Sequence, residues 1–251
     1  MKKFVLSSLL LASSVANAAS YQSFNEISYS DADSYDGLAL STHYFLKPQA
    51  MIGVLDEFGY LNTDTNIYAS FNNYFDDNNY NLGGELFLDN NLFITADVAS
   101  LRDYDSLSGG VGYLINDDFK VSARYVDQDG ADDEVFLRAE YNHQINSIDY
   151  LAFSFDTESD TDTWQLASRY FMALNNTNHI AVDASLTELG SETVTRVFGT
   201  YYLNQAISFG AGVNDGEFEV LGKYYADTNF AFSLGYEDID EIFTFAVHGQ
   251  F

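Results

Sequence analysis

The chain has 251 residues, with 38 acidic side chains against 10 basic ones, a single proline and no cysteine. The formal net charge of −28 argues against a nucleic-acid partner, because phosphate binding needs clustered lysine and arginine. The lack of cysteine excludes disulfide scaffolds, thiolate catalysis and cysteine-ligated metals, and an apolar content of 47% excludes a disordered acidic tail.

Residues 1–18 predict a secretory signal peptide. A positive start at residues 2–3 precedes a short apolar run over residues 4–11, and residues 16–18 read Ala-Asn-Ala, a small-x-small cleavage site. The run is too short to span a bilayer as a stable helix, although a membrane-anchoring helix is the alternative. Cleavage after Ala18 would leave residues 19–251 as one exported domain, which suits a bacterial periplasm or outer membrane.

The rest of the chain alternates apolar and polar residues with a period of two, as in residues 119–125 and 134–141. Such alternation predicts β-strands with one apolar face. No segment has a helical period, and none has an apolar run near 18 residues. The pattern predicts about sixteen strands, with about fourteen as the alternative. We expect them to begin near Gln22, Leu38, Thr63, Tyr80, Leu92, Leu107, Phe119, Val135, Ile148, Thr163, His179, Thr193, Ala206, Glu217, Asn229 and Ile242.

Two kinds of connection alternate between these strands. Short turns rich in Asn and Asp occupy residues 89–91, 116–118, 175–177, 203–205 and 226–228. More acidic loops occupy residues 31–36, 76–77, 127–133, 156–162, 188–192, 214–217 and 237–241. An even strand number places both termini at one end of a barrel, so we expect the short turns to face the periplasm and the acidic loops to face outside.

The acidic loops allow two interpretations. Most acidic loops are simply solvated surface. The functional alternative is that they bind divalent ions that bridge to the phosphates of outer-membrane lipid and lipopolysaccharide, or that they attract cations to a pore mouth.

Two features favour a transmembrane antiparallel β-barrel over a soluble β-sandwich. Apolar faces often end in Tyr or Phe, as an interfacial girdle requires, at 44–45, 125, 141, 170–171, 201–202, 224–225 and 236. The chain also ends at Phe251, in register with Phe243, Phe245 and Val247. We expect the barrel-assembly machinery of the outer membrane to recognise this last strand.

Two short stretches resemble a known family. Residues 44–48, Tyr-Phe-Leu-Lys-Pro, are similar to the aromatic-aromatic-x-x-Pro strand end of the small general porins of Gram-negative bacteria. Residues 57–62, Glu-Phe-Gly-Tyr-Leu-Asn, are similar to a later stretch of that family, but the second proline expected before Glu57 is absent. The resemblance implies an outer-membrane porin for passive diffusion of small hydrophilic solutes and ions. It also allows a homotrimer, although the sequence shows no interface patch.

A barrel of around sixteen strands encloses a lumen wide enough for an aqueous channel. The longest connection, residues 48–63, is placed on the periplasmic side, and no connection is expected to fold deeply inside. The lumen is therefore predicted to be open, or narrowed by side chains alone.

Six basic residues lie opposite the apolar faces of their strands, and we predict that they line the pore: Lys120, Arg124, Arg138, Arg169, Arg196 and Lys223. A charge facing lipid at the midplane costs roughly 2–4 kcal/mol, so cost alone places them inward. They either pair with wall carboxylates such as Glu140 and Glu219, or face acids such as Asp97 across the pore and create a transverse field. The acidic composition favours cations.

Other functions have weaker support in the sequence. His43 and His248 are expected on inward faces and Ser41 lies near His43, but no hydrolase signature surrounds it, so we predict no enzyme activity. The Gly-rich residues 210–216 and the acidic residues 127–132 lack the spacing of phosphate and calcium loops, so no cofactor or metal is predicted. A non-conducting barrel acting in adhesion or envelope integrity is the alternative function.

Overall fold

The computed structural model describes residues 20–33, 36–74, 77–101, 104–130, 132–159 and 162–251. The predicted signal peptide, residues 1–18, lies outside these ranges, as do parts of four acidic loops, at 34–35, 76, 131 and 160–161. None of the helical segments in these ranges has the length and hydropathy of a transmembrane helix.

The described residues form a closed antiparallel barrel of sixteen strands, in which neighbours in sequence pair and the first strand closes onto the last. The strands are β1 Ser20–Asp31, β2 Asp36–Ala50, β3 Asn66–Tyr74, β4 Asp77–Phe87, β5 Leu92–Leu101, β6 Tyr104–Asn116, β7 Phe119–Gln128, β8 Glu134–Gln144, β9 Tyr150–Glu158, β10 Thr163–Ala173, β11 His179–Leu189, β12 Glu192–Asn204, β13 Ile207–Asn214, β14 Glu217–Tyr225, β15 Phe230–Glu237 and β16 Ile242–Gln250. A short 3₁₀ turn, Ile239–Glu241, precedes β16. The predicted fold class is confirmed, and every predicted strand start lies within three residues of an observed one.

The outer face of the wall is apolar. Leu137 and Tyr141 of β8, and Phe243 and Phe245 of β16, point outward and are each more than 40% exposed. Surface of this kind is stable when hydrocarbon covers it, which agrees with the predicted membrane barrel. The alternating residues of the same strands face the lumen.

Several predicted aromatic pairs are divided between the two faces of the wall. Tyr201 and Tyr224 point outward and are about half exposed, whereas Tyr202 and Tyr225 are buried in the lumen. Phe171, next to Tyr170, is fully buried inside. Only the outward member of each pair can therefore belong to an interfacial girdle.

Short turns at the end of the barrel that carries both termini are held by Asn and Asp side chains. Oδ1 of Asn204 accepts hydrogen bonds from the backbone N–H groups of Ala206, at 2.8 Å, and Ile207, at 3.0 Å. Asp227 accepts equivalent bonds from Asn229 and Phe230. These side chains satisfy turn donors that no strand partner can reach, as the composition predicts.

The connection between β2 and β3 is different. Residues 51–65, here called the inserted segment, fold into the lumen, where Val54 is fully buried against Tyr150 and Phe171. These two residues lie on β9 and β10, about half-way around the barrel from β2 and β3. The expectation that no connection folds inside is therefore wrong. The inward aromatic residues at this end give the segment an apolar seat, and burying Val54 there removes it from water.

Candidate functional site

The inserted segment closes over part of the lumen and is held by backbone as well as side-chain contacts. Leu55 packs on Tyr225 and Ala231, its N–H donates to the Gln205 carbonyl at 3.1 Å, and its own carbonyl accepts from the Gln250 side chain at 3.3 Å. Leu55 thus docks on β14 and β15, whereas Val54 packs against β9 and β10.

Gly53 permits the close approach of the segment to the wall. Its φ of +73° is one that residues with a side chain rarely adopt, and a Cβ there would lie 2.8 Å from Nε2 of His179 and 3.4 Å from the Ile148 side chain. The segment therefore needs glycine at this position for two separate reasons.

Glu57 of the inserted segment binds Arg169 of β10. The Arg169 guanidinium is 2.5 Å from Oε2 of Glu57 and 2.7 Å from both carboxylate oxygens of Asp183, and the Tyr150 hydroxyl donates to Glu57. Burial raises the pKa of Glu57 above its ordinary value, although the neighbouring guanidinium favours the ionised form. One guanidinium thus joins the segment to two strands of the wall.

Asp56, the preceding residue, binds a different part of the wall. Its Oδ1 accepts hydrogen bonds from Lys223 at 2.5 Å and from the Tyr225 hydroxyl at 3.0 Å. Burial alone would raise the pKa of Asp56, but the charge and hydrogen bond of Lys223 outweigh it and hold the pKa below its ordinary value. Two adjacent carboxylates therefore attach the segment to β10 and to β14.

The far end of the inserted segment is attached to the wall near β4 and β7. Lys120 donates to the Asn62 carbonyl at 3.2 Å and lies 2.9 Å from Oε1 of Glu85, while the Asn62 side chain donates to Glu85. The segment is therefore attached at three places around the inside of the barrel.

A charged cavity of about 340 Å³ lies beside this attachment. Arg124 is 3.6 Å from Asp97, and Arg138 is 3.1 Å from Glu140 and 3.3 Å from Asp156. The residues that line this charged cavity include Asn62, Tyr68, Glu85, Asp97, Lys120, Arg124, Arg138, Glu140 and Asp156.

All six basic residues predicted to line the pore face the lumen beside a carboxylate. The pairs not yet described include Arg196 with Glu219, at 2.8 Å. Asp97 lies next to Arg124 rather than across the lumen from it. This geometry agrees with the predicted salt bridges along the wall and not with the predicted transverse field between facing sides of the pore. The role of the six basic residues in conduction stays a prediction.

A second cavity, of about 450 Å³, lies on the other side of the inserted segment. We call it the aromatic cavity. Its lining includes Phe24, Glu26, His43, Asp56, Phe58, Tyr68, Lys223, Tyr225 and His248. The inserted segment thus supplies Asp56 and Phe58 to one cavity and Asn62 to the other.

The two histidines considered for catalysis make separate contacts. His43 bonds the Asn66 side chain at 2.8 Å, so the structure does not place its ring nitrogen on Ser41. His248 lies between Glu26, at 3.2 Å from Nδ1, and Ser233, at 2.8 Å from Nε2. Ser233 lies on β15, which pairs with β14 on one side and β16 on the other. This pairing uses the nearby backbone N–H groups, so they cannot stabilise an oxyanion. In the described part of the chain, no group of three potential ligands could hold a metal ion.

Sequence reasoning missed the role of Asp56 and Glu57. In the sequence, Glu57 belongs only to a stretch that resembles the porin family, and neither residue is predicted to lie in the lumen. The signal that could have found them is Val54-Leu55, an apolar pair without a strand, together with inward aromatic residues at the same end of the barrel.

Comparisons with known proteins agree with this geometry. The family described as putative general bacterial porin matches residues 1–243. No curated protein sequence matches the chain significantly. The outer membrane protein Omp33 of Acinetobacter baumannii superposes with a TM-score of 0.61 at 16% identity, covering 94% of this chain and 99% of that one. A mutant of the Rhodopseudomonas blastica porin gives 0.53 at 11% identity, covering 92% and 99%. These similarities are similarities of fold.

Proposed function

The chain belongs to the general bacterial porin family and is located in the bacterial outer membrane, and from this premise we propose that it is a water-filled channel for passive diffusion of small hydrophilic solutes and ions. The observation that carries the proposal is a closed wall, apolar outside, around a lumen with charged cavities. Family and fold point to a channel rather than to an enzyme.

The lumen charges support a pore that favours cations. Within the described ranges, the lumen ion pairs contain nine carboxylates against six lysine or arginine side chains. A channel lined by excess carboxylate concentrates cations and repels anions. We propose that Lys120, Arg124, Arg138, Arg169, Arg196, Lys223, Asp97, Glu140 and Glu219 line the conducting path.

The inserted segment favours a second candidate function. Its attachments to β4, β7, β10 and β14 narrow the lumen, and a barrel closed in this way would act in adhesion or envelope integrity without conducting. The channel function requires that solutes pass through the charged cavity, the aromatic cavity, or both.

Single-channel recording separates the two functions. Purified protein whose closed barrel is verified by heat-modifiable gel mobility is added to a planar bilayer under a KCl gradient. The channel predicts discrete conductance steps and a reversal potential with the sign of cation preference. Correctly folded protein that gives neither steps nor swelling of sugar-loaded liposomes would favour the non-conducting barrel, and a reversal potential of opposite sign would refute cation preference.

The orientation and partners belong to the same proposal. We place the short turns and the inserted segment at the periplasmic end and the acidic loops outside, where divalent ions could join them to lipopolysaccharide. The outward residues Phe243, Phe245, Val247 and Phe251 are proposed to guide recognition by the barrel-assembly machinery. A homotrimer is proposed by family resemblance only, and crosslinking of the protein in native membranes would test it.

A further inference from the structure

We propose that the aromatic cavity is a binding site for small organic cations that carry one ammonium group and a ring or other apolar body. This inference deepens the channel proposal, because such solutes would reach the cavity through the lumen. It names a solute class and a place, which neither the family nor the fold supplies.

Among the described lumen ion pairs, Glu26 is the carboxylate without a lysine or arginine as its direct partner, although the nearby charge of Lys223 also acts on it. The Glu26 side chain is 42% exposed, and its ion-pair partner is His248, at 3.2 Å, which carries a charge only when protonated. The other carboxylates in the described lumen pairs face lysine or arginine. Glu26 is therefore the lumen acid best able to accept a cationic solute.

Ser233 and His248 hold that carboxylate in place. The serine hydroxyl can donate to Nε2 of His248, at 2.8 Å, while Nδ1–H of the same ring donates to Glu26. The chain of contacts from Ser233 through His248 therefore orients the Glu26 carboxylate. The arrangement leaves the remaining acceptor capacity of Glu26 for a ligand.

Aromatic rings form the adjoining wall of the same cavity. Phe24 and Phe58 meet edge to face with ring centroids 4.8 Å apart, and Tyr68 and Tyr225 also line the space. Ring faces attract cations and bury apolar bodies. Lys223, the cationic residue in this lining, is 2.5 Å from Asp56, so the pair contributes little net charge.

The size of the cavity fits a small molecule rather than a bare ion. Its volume of about 450 Å³ falls within the range of roughly 300–1,000 Å³ typical of ligand pockets. A carboxylate beside several rings is selective for a cation with an apolar body, since an inorganic ion would gain little from the rings and lose its hydration.

Calorimetric titration of detergent-purified protein with benzylammonium at neutral pH tests the site, and benzyl alcohol serves as the uncharged analogue of the same shape. We expect saturable binding of benzylammonium at one site and much weaker binding of benzyl alcohol. Glu26→Gln should weaken benzylammonium binding about tenfold, because it replaces a charged acceptor by a neutral one. Glu192→Gln, which removes an exposed charge at the start of β12, should leave the affinity unchanged.

A second variant tests the site without changing any residue of the wall strands. Phe58 lies in the inserted segment, and Phe58→Leu should weaken benzylammonium binding about threefold while Glu26 remains. Equal binding of benzyl alcohol, or full benzylammonium affinity in both Glu26→Gln and Phe58→Leu, would overturn the site. Conductance without benzylammonium binding would refute the site alone, and binding without conductance would refute the channel alone.

Discussion

Glu57 and Arg169 lie 112 residues apart in the chain, yet Nη2 of Arg169 is 2.5 Å from Oε2 of Glu57 inside the barrel. The same guanidinium holds Asp183 of β11, and Tyr150 donates to the same glutamate. Through these contacts a single arginine fixes a connection at one wall of the barrel to the strands of the opposite wall. Arg169 is therefore one of the three attachments that position the inserted segment, beside those of Lys223 and Lys120.

Replacing Arg169 by Met should destabilise the protein, because Glu57 would be left buried without its partner. Breaking a buried pair in this way costs about 3–5 kcal/mol, and we expect about 3 kcal/mol here because Arg169 is partly exposed. The unfolding free energy in detergent micelles measures the loss. The double variant Arg169→Met with Glu57→Gln should recover most of it, and a double variant no more stable than the single one would contradict the assignment.

Gly53→Ala should displace the inserted segment and enlarge the conducting path. Gly130 is the matched control, since its φ of +82° is also positive but a Cβ there meets nothing within 4 Å. Both substitutions carry a backbone cost of about 1 kcal/mol, whereas only Gly53→Ala also places a methyl against His179. Single-channel conductance should rise in Gly53→Ala and stay at the wild-type value in Gly130→Ala. Equal conductance in all three proteins would show that the segment does not limit the current.

The two carboxylates of the inserted segment, Asp56 and Glu57, should make the free energy of unfolding depend on pH in opposite directions. Burial raises the pKa of Glu57, so its contribution to stability is full in acid and is lost as pH rises through that folded-state pKa. Burial opposes ionisation of Asp56 as well, but Lys223 lowers the pKa of Asp56, so its contribution is lost as pH falls through that lowered value.

Unfolding free energies measured across a pH series separate the two groups. Glu57→Gln should flatten the loss of stability above the ordinary glutamate pKa, and Asp56→Asn should flatten the loss in stronger acid. A Glu57→Gln profile parallel to that of the wild type would contradict the raised pKa of Glu57.

Removing an arginine side chain from the charged cavity should strengthen the preference of the channel for cations. Arg124→Ala removes the basic partner of Asp97. Arg138→Ala removes the partner of Asp156 and leaves Glu140 with Lys120 alone, so each variant adds unbalanced negative charge to the lumen. The reversal potential under a KCl gradient should shift further in the cation-selective direction. Lys47→Ala is the control, because the Lys47 side chain is 77% exposed and lines neither cavity. Unchanged selectivity in both arginine variants would remove these residues from the conducting path.

Deleting Phe251 should impair closure of the barrel. Its backbone exchanges hydrogen bonds of 2.8 Å with Ser23, and its ring packs on Phe230 with centroids 5.4 Å apart. These contacts complete the pairing of β1 with β16. The fraction of protein with heat-modifiable gel mobility after refolding should fall in the deletion variant. Phe251→Tyr should refold like the wild type, because it keeps the backbone hydrogen bonds and the ring. Normal closure without Phe251 would contradict this account.

The alternation of apolar and polar residues predicts the strands of the barrel wall well. Lipid on one side of each strand and water on the other impose this alternation, as at Val121 and Ser122. The starts of β5, β7 and β11 were predicted to the residue for this reason. The inserted segment could not be predicted in the same way. Its position depends on contacts such as Val54 with Phe171, which join distant parts of the chain and leave no local period.

The same limit explains the outcome for the pore residues. That Arg124 faces inward follows from its own strand, but its distance from Asp97 depends on the register of β5 with β6 and of β6 with β7. A sequence pattern fixes the face of a charged residue and leaves open which neighbour it meets. Wall pairing and a transverse field were therefore indistinguishable before the registers were known.

The inserted segment also constrains the order in which the molecule can reach its native state. Val54 and Leu55 lie in the first quarter of the chain, but the groups on which they pack, on β9 to β15, lie in its second half. Contacts between such distant positions form slowly, because the long intervening chain must first be ordered. The apolar stretch at Val54 and Leu55 therefore stays without its packing partners until the second half of the barrel has folded.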